Sequence, residues 1–481
     1  MVVSRVRQLL APRVSYERLQ DGRDPEERDE DDIHDGVAAS TVLAEPPFSW
    51  LEYAIFLWMG VSMLWAWNMF LAATPYFQRR FASDPWVLSH FQSSILSVST
   101  VTNLACVLVL AKLQQNASYP RRIVLSLLLN IVIFTLLACS TVLFHGASVG
   151  VYFTFLLVMV FGASLATGMN QNGIFAYVTG FGRGEYTQAI MAGQGVAGVL
   201  PCIVQILSVL AVPERKEATD ANAESEEDMQ YQSSKSAFAY FATATGVSGI
   251  ALFAFLHLVR RQHALRHIRS KSIASEDPNE EITSSASSSS SSSSAQPKKS
   301  IPLWTLFRKL RWLALALFVC FTITMIFPVY TAAIRSVRDT DSSSPTDIPR
   351  MFQPAIFIPL AFLLWNVGDL LGRIILLVPS LSLTHRPRAL FFLSLSRVLF
   401  IPLYTMCNVR GRGAVVDSDL FYLFIVQFLF GATNGYIGGS CMVGAGEWVD
   451  VEEREASGAF MGLMLVGGLT AGSLASFAVA V

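Results

Sequence analysis

Residues 356–378 read IFIPLAFLLWNVGDLLGRIILLV, an apolar stretch interrupted by two charges, Asp369 and Arg373. A helix that crosses a bilayer needs about 20 apolar residues, and this stretch is long enough. A charge at the centre of such a helix costs about 2.5–3.5 kcal/mol, so both side chains must face the protein interior or a water-filled cavity. At a spacing of four residues they share one helix face, within reach of each other and of a common ligand. This pattern favours a transport pathway, because ionisable groups at membrane depth usually mark one.

The composition is typical of a membrane protein. Of the 481 residues, 52% are hydrophobic and 15% are charged, and the net charge is −1. A soluble chain of this length would carry more charge, and a near-neutral chain offers no basic field to nucleic acid. The six cysteines all lie in apolar runs, which argues against a disulfide framework. Without a Walker A loop, zinc spacing or dinucleotide fingerprint, the chain is expected to have no cofactor, no metal and no enzymatic activity.

The rest of the chain repeats the apolar pattern, so we predict an all-α membrane protein with eleven transmembrane helices. Each apolar span is close to or above the length that a spanning helix needs. The fourth span is long and rich in glycine, so it could be broken or tilted. The predicted spans are 51–76, 87–111, 123–144, 149–179, 186–211, 237–259, 312–334, 353–379, 389–409, 419–442 and 456–480.

A basic, serine-rich link divides the spans into six and five. We predict a disordered cytosolic tail (1–48), an N-terminal bundle of helices 1–6 (49–260), a cytosolic Ser-rich linker (261–310) and a C-terminal bundle of helices 7–11 (311–481). Positive charge marks the cytosolic side, so the N-terminus is expected to be cytosolic and the C-terminus extracytosolic. The sequon at Asn116 then lies on the cytosolic side and is predicted to be unmodified. The link at 212–236 is acidic.

Small residues recur at a spacing of four residues. The pairs are Gly431/Gly435, Gly458/Gly462 and Gly468/Gly472. Glycines at this spacing let membrane helices approach closely, so we expect a tight helix bundle.

Aromatic and amide side chains at membrane depth are candidate ligand contacts. Trp67 and Asn68 combine a planar apolar face with an amide, which suits a nucleobase, although tryptophan also belongs to interfacial belts. In the fourth span, Gly168 precedes three consecutive amides that end at Asn172. These amides can read the edge of a neutral base or bond between helices, and the sequence leaves both open. Gln194 adds an amide to the fifth span.

The charged residues of the later spans allow two interpretations. In the first, the pair binds a ligand: Asp369 can accept hydrogen bonds from a vicinal diol, and Arg373 can donate to a ring nitrogen or a hydroxyl. In the second, the pair has a structural role and holds helices together. Arg397 has no carboxylate nearby in the sequence. For Arg397 we expect a gating or structural role, in which it caps carbonyls or bridges to another helix.

At these residues the chain resembles the equilibrative nucleoside transporter family, in a fungal-type form. The resemblance covers roughly residues 50–481 and is carried by several motifs in order. They are Trp67-Asn68 with Ala73-Thr74-Pro75-Tyr76-Phe77, Tyr186-Thr187, Ile190 to Gly195 with Ala197-Gly198, Phe327-Pro328, Asn366 with Asp369-x-x-Gly372-Arg373, Arg397-x-x-Phe400-x-Pro402, Cys407-Asn408, Asn434-Gly435-Tyr436 and Glu455-Ala456-x-Gly458-Ala459-x-Met461.

The resemblance implies a major-facilitator-like 6+5 two-bundle arrangement with a nucleoside site between the bundles. It implies that Trp67 contacts the base, with Asn68 beside it. It implies that Asn172 stands where the family often has a base-reading glutamine, and that Gly168 limits bulk in the pocket. Asp369 and Arg373 would lie near ribose and base. Gating or structural roles are expected for six residues: Gln194, Phe327, Pro328, Asn366, Arg397 and Asn434.

The predicted function is therefore facilitative, alternating-access transport of nucleosides such as adenosine and uridine, with nucleobases left open as further substrates. The alternatives are a proton-coupled nucleoside carrier, or a related-fold carrier for another small polar solute. A receptor would bind a nucleoside without flux, and an enzyme would convert it. The resemblance suggests a vacuolar or lysosomal-type membrane or the plasma membrane, and the sequence does not specify an oligomeric state.

Overall fold

The structure is a computed structural model that describes residues 48–114, 117–144, 146–211, 224–275, 301–325, 327–341 and 349–479. From Ser49 onward the chain forms one compact unit. Within the described ranges, eleven helices are long and apolar enough to cross a membrane. We number these spans α1 Trp50–Arg80, α2 Pro85–Lys112, α3 Tyr119–Leu143, α4 Val149–Thr179, α5 Gly184–Leu207, α6 Ser233–Leu265, α7 Leu303–Ala333, α8 Pro354–Ile375, α9 Pro387–Thr405, α10 Phe421–Gly444 and α11 Val451–Ala475.

Each predicted span coincides with one of these helices, so the predicted fold class is confirmed. The glycine-rich α4 is one continuous helix of 31 residues. The helix that contains α6 is longer than predicted, because it runs from Glu224 to Ser275. It thus enters the acidic link and the predicted Ser-rich linker, where glutamate, lysine and arginine favour helix once an apolar span has nucleated it. Residues 276–300, the tail before residue 48 and Asn116 lie outside the described residues.

Proline and a π-helical turn interrupt three of the helices. In α1, the helix Trp50–Ala72 ends just before a second segment, Thr74–Arg80, which has Pro75 in its first turn. In α9, a 3-10 turn precedes Pro402, which has no N–H to continue the α-helical ladder. The first eight residues of α10, Phe421–Phe428, are π-helical.

Glycines let several helix pairs approach to backbone contact, as their spacing predicted. A Cβ added at Gly431 or Gly435 of α10 would overlap carbonyl oxygens of α8, and one added at Gly468 or Gly472 would overlap carbonyl oxygens of α7. A Cβ at Gly458 of α11 would overlap the carbonyl oxygen of a residue in α4. The α8–α10, α7–α11 and α4–α11 contacts therefore need glycine at these positions.

Helices α1–α6 pack mainly among themselves, and so do α7–α11. Further contacts between the two groups join α5 to α8 and α10, and α11 to α2 and α4.

Several helix ends are joined by hydrogen bonds at one face of the molecule. Arg261 and Ser49 are joined there, Ser49 bonds to Tyr186, and Ile301 bonds to Gln114. We call this the linker face, because Arg261 and Ile301 belong to the predicted linker (261–310).

Candidate functional site

Asp369 and Arg373 form a buried ion pair on α8. Arg373 Nε donates to Asp369 Oδ2 over 2.8 Å. The two residues are only 3% and 5% exposed, and both face protein rather than lipid. The predicted contact across one helical turn is thus confirmed.

The guanidinium of Arg373 also joins α8 to α5. Its Nη1 donates to the Met191 carbonyl over 2.7 Å and to Gln194 Oε1 over 3.1 Å. Gln194 in turn donates through Nε2 to the sulfur of Met63 on α1, over 2.9 Å. A single buried chain of contacts therefore links α1, α5 and α8.

On its other side, Asp369 is joined to α10 and α9. Asn434 Nδ2 donates to Asp369 Oδ1 over 2.6 Å, and Arg397 Nη1 donates to Asn434 Oδ1 over 3.2 Å. Arg397 also donates to the carbonyls of Cys320, over 2.7 Å, and Phe430, over 3.2 Å. The expectation that Arg397 caps carbonyls and bridges to other helices is confirmed.

We call Gln194, Asp369, Arg373, Arg397 and Asn434 the buried network. It contains two guanidiniums and one carboxylate, so it sums to one positive charge at membrane depth. All five residues are at most 5% exposed. The charges are tolerated because carbonyl, amide and carboxylate oxygens surround them, and a buried charge stripped of such partners would be costly.

A separate cavity of about 240 Å³ lies between the N-terminal helices and α7 and α11. Met63, Trp67 and Phe70 of α1 form one wall, and Thr470 of α11 lies in another. Trp67 therefore borders the cavity. Met63 belongs to both sites, because it lines the cavity and accepts the hydrogen bond from Gln194.

Two further amides line the same cavity: Gln171, one of the three consecutive amides of α4, and Asn103 of α2, which the sequence prediction did not consider. Gln171 is only 4% exposed. Within the described part of the chain, neither Asn103 Oδ1 nor Gln171 Oε1 has a hydrogen-bond partner. An unpaired buried carbonyl oxygen is costly, so a turn of either side chain that let its oxygen meet a bound ligand or water would be favourable.

Asn172, the predicted base contact, is not among the residues that line the cavity. It is fully buried, and its Oδ1 accepts a hydrogen bond from Arg122 Nη1 of α3 over 2.6 Å. Gly168 lies where α4 meets α2, since an added Cβ would stand 2.9 Å from Cys106 Cβ and 3.0 Å from Asn103 Oδ1. A larger residue at Gly168 would therefore press on the cavity wall.

The remaining predicted residues lie in helix contacts. Asn68 Nδ2 donates to the Ala197 carbonyl of α5 over 2.7 Å. Asn366 of α8 donates to the sulfur of Cys202, also of α5, over 3.6 Å. Phe327 stacks on a tryptophan of α8 with ring centres 4.4 Å apart, and Pro328 follows it in the chain.

At the linker face the helices close beneath the cavity. Gly458 of α11 packs directly on the end of α4, and an added Cβ at Gly180 would stand 2.8 Å from Glu455 Cγ. Arg122 completes this closure by donating to the carbonyls of Leu110 and Leu113. The cavity residues of α1 lie in the half of the helix away from the linker face.

The fold defines the class of protein, a multi-helix membrane protein with the fold of the major facilitator superfamily. The superfamily transporter FucP aligns with a TM-score of 0.55 and 14% identity, over 89% of this chain and 91% of its own. The proton:xylose symporter XylE aligns with a TM-score of 0.55 and 9% identity, over 88% and 87%. At these identities the likeness concerns the fold alone.

Sequence similarity gives the family. The profile of the nucleoside transporter family matches residues 157–481. Nucleoside transporter FUN26 of Saccharomyces cerevisiae is 31% identical over 449 residues, which is 89% of this chain and 83% of the yeast protein. Equilibrative nucleoside transporter 2 of Homo sapiens is 27% identical over 467 residues, 88% of this chain and 95% of the human protein. The chain belongs to the nucleoside transporter family, and its relatives are transporters rather than enzymes.

Proposed function

We propose that this protein carries nucleosides, adenosine and uridine among them, down their gradient by alternating access. The observation that supports this most directly is the cavity beside Trp67, whose wall includes the amide side chains Asn103 and Gln171. A volume of about 240 Å³ lies just below the usual range of ligand pockets, which begins at about 300 Å³, so the cavity suits only a small solute.

The chemistry of the cavity wall matches that of a nucleobase. Stacking a base on an aromatic ring contributes about 1–3 kcal/mol, and the indole of Trp67 offers such a face. The amides of Asn103 and Gln171 can accept from and donate to the edge of the base. We therefore propose Gln171, rather than Asn172, as the base-reading amide of α4, since Asn172 is already engaged by Arg122.

The role proposed for the ion pair depends on a change of conformation. Met63 lines the cavity and accepts a hydrogen bond from Gln194, and Gln194 accepts one from Arg373. We propose that Asp369 and Arg373 reach the sugar hydroxyls when Gln194 turns away from Arg373. Gln194, Asn366 and Asn434 then act as positioning residues, because they hold the pair to α5 and α10 in the closed arrangement.

Alternating access follows from the closure at the linker face together with a cavity in the other half of the molecule. For the substrate to cross, the α4–α11 contact must open while the opposite end closes around the same central site. We propose that residues 49–260 and 311–481 are the two bundles that rock against each other. The α5–α8 contact, which includes the Arg373–Gln194 and Asn366–Cys202 hydrogen bonds, is the proposed pivot.

Influx into liposomes tests the function. The purified protein should admit labelled adenosine and uridine without a pH step, and an excess of a sugar should not compete. Influx that needs an inward proton gradient would favour the proton-coupled carrier. Competition by a sugar in place of nucleosides would favour the related-fold carrier. Binding without flux would overturn transport altogether.

Substitution of two neighbouring tryptophans tests the site. Trp67→Ala should raise the KM for adenosine about 5- to 150-fold, the equivalent of 1–3 kcal/mol of lost stacking. Trp65→Ala is the matched control, because Trp65 is two residues away and bonds to Thr243 instead of lining the cavity. Equal KM values for the two variants would contradict the proposed base contact.

We further propose that the linker face is cytosolic, which puts the N-terminus in the cytosol and the C-terminus outside it. Exposed basic residues at this face, among them Arg260, Arg308 and Arg311, support that orientation. Tags at each terminus, probed with impermeant antibodies before and after permeabilisation, test it. Microscopy of the tagged protein distinguishes a vacuolar or lysosomal-type membrane from the plasma membrane.

A further inference from the structure

Three exposed arginines cluster around one tryptophan where α7 and α9 meet at the linker face. Arg308 and Arg311 lie on the same face of α7 as Trp312. The guanidinium carbon of Arg311 is 5.7 Å from the Trp312 ring centre, and that of Arg388 on α9 is 5.9 Å from it. Phe391 packs its edge against the same ring, with centres 5.4 Å apart. Two guanidiniums from different helices are thus held beside one aromatic platform.

No carboxylate neutralises this cluster within the described residues. None of the ion pairs found there involves any of the three arginines. Two carboxylates at the start of α11 pair with the lysine between Arg308 and Arg311: Lys309 Nζ lies 2.8 Å from Asp450 Oδ2 and 2.6 Å from Glu453 Oε2. Among the described residues, the cluster therefore has no carboxylate partner for its positive charge.

An apolar stripe leads from the arginines into the membrane-spanning part of α9. Its members are Phe392, Leu395 and Leu399, which are 61%, 47% and 67% exposed. With Arg388 they lie at intervals of three and four residues, so they share one helix face. The distance from Arg388 to Leu399 along the axis is about 16 Å at 1.5 Å per residue. The surface is thus cationic at the linker face and apolar below it, over the length of several turns.

We propose that this surface is a binding site for an anionic phospholipid. The phosphate and the charged headgroup lie between Arg308, Arg311 and Arg388, and the acyl chains lie along the stripe. Guanidinium groups match phosphate oxygens in geometry and charge, and they remain charged at any physiological pH. Basic recesses between membrane helices on the cytosolic side are suited to anionic lipid headgroups. The site is separate from the cavity and does not depend on nucleoside transport.

Native mass spectrometry of the detergent-purified protein tests the proposal by titration with phosphatidylserine and with phosphatidylcholine. We expect phosphatidylserine to bind more tightly. Arg311→Gln and Arg388→Gln should each weaken it about fivefold, and the double variant about 25-fold. The matched control is the double variant Arg121→Gln and Arg260→Gln, which removes the same charge from exposed positions outside the cluster. Melting temperatures of all variants establish that they are folded.

Three results would overturn the proposal. Equal affinity for the two lipids would show that the charge of the headgroup does not contribute to binding. An equal loss in the control variant would mean that only the general charge of this face matters. Tight binding of glycerophosphoserine, which has the headgroup but no acyl chains, would show an anion site in place of a lipid site.

Discussion

Asp369→Asn should destabilise the protein more than Arg373→Met, although both changes break the same ion pair. Asp369 accepts directly from Arg373, and its second oxygen accepts from Asn434, which in turn accepts from Arg397. Without the carboxylate, the buried network would hold two guanidiniums and no anion. Without Arg373, one guanidinium and one carboxylate would remain. Loss of one partner of a buried pair costs about 3–5 kcal/mol, so we expect about 5 for Asp369→Asn and about 3 for Arg373→Met.

Thermal unfolding in detergent, followed by tryptophan fluorescence, measures the difference. At about 2 °C per kcal/mol for a chain of this size, the melting temperature should fall by roughly 10 °C and 6 °C respectively. Asp417→Asn is the control, because Asp417 is exposed and lies outside the buried network, and it should shift the melting temperature by less than about 1 °C. If the melting temperature of Asp369→Asn equals or exceeds that of Arg373→Met, the net charge of the buried network does not determine its stability.

Three further changes probe packing, closure and pH. Gly193→Ala would place a methyl group against a carbonyl of α1 and should lower the free energy of unfolding by about 1–3 kcal/mol. In the control variant, Gly246→Ala, the methyl group enters open space, so the free energy of unfolding should be unchanged or should rise by up to about 1 kcal/mol. Equal melting shifts of the two variants would contradict the close α1–α5 contact. Gly458→Leu should keep the α4–α11 contact at the linker face from closing. Adenosine influx should then fall at least about tenfold at an unchanged amount of protein. Undiminished influx would show that this contact is not the closure. Partial desolvation raises the pKa of Glu447, whose side chain is still 42% exposed, above its ordinary value of 4.5. Its contribution to stability is therefore present at lower pH and is lost as pH rises through the raised pKa. The fall in melting temperature from pH 4.5 to pH 7 should therefore be smaller in Glu447→Gln, and an equal fall would refute this assignment.

Local sequence predicted the ion pair of α8 because both partners lie in one helix. Asp369 and Arg373 are four residues apart, so helix geometry alone brings them together. The type of contact made by Arg397 could also be inferred, since a buried guanidinium must find acceptors. Its partners could not be inferred, because Cys320 is 77 residues away and Phe430 is 33 residues away in the sequence. Their contact depends on how three helices pack.

The orientation of α4 was the least predictable part of the site. Gln171 lines the cavity and Asn172 contacts Arg122, although both are amides in the same turn. Successive residues of a helix point about 100° apart, so a shift of one residue changes which side chain meets the ligand. Because α4 is apolar on most of its faces, periodicity does not indicate which side faces the cavity. The unpaired oxygens of Gln171 and Asn103 become visible only once neighbouring helices are in place.

The single positive charge of the buried network has an electrical consequence. Nucleosides such as adenosine and uridine are uncharged, yet the carrier itself keeps a charge within the bilayer. Moving one elementary charge through the full transmembrane potential changes the energy by about 2.3 kcal/mol per 100 mV. A shift of this network through one tenth of the field would thus bias the two orientations of the empty carrier by about 0.2 kcal/mol per 100 mV. A neutral cargo would then be moved by a carrier whose resting orientation responds to voltage.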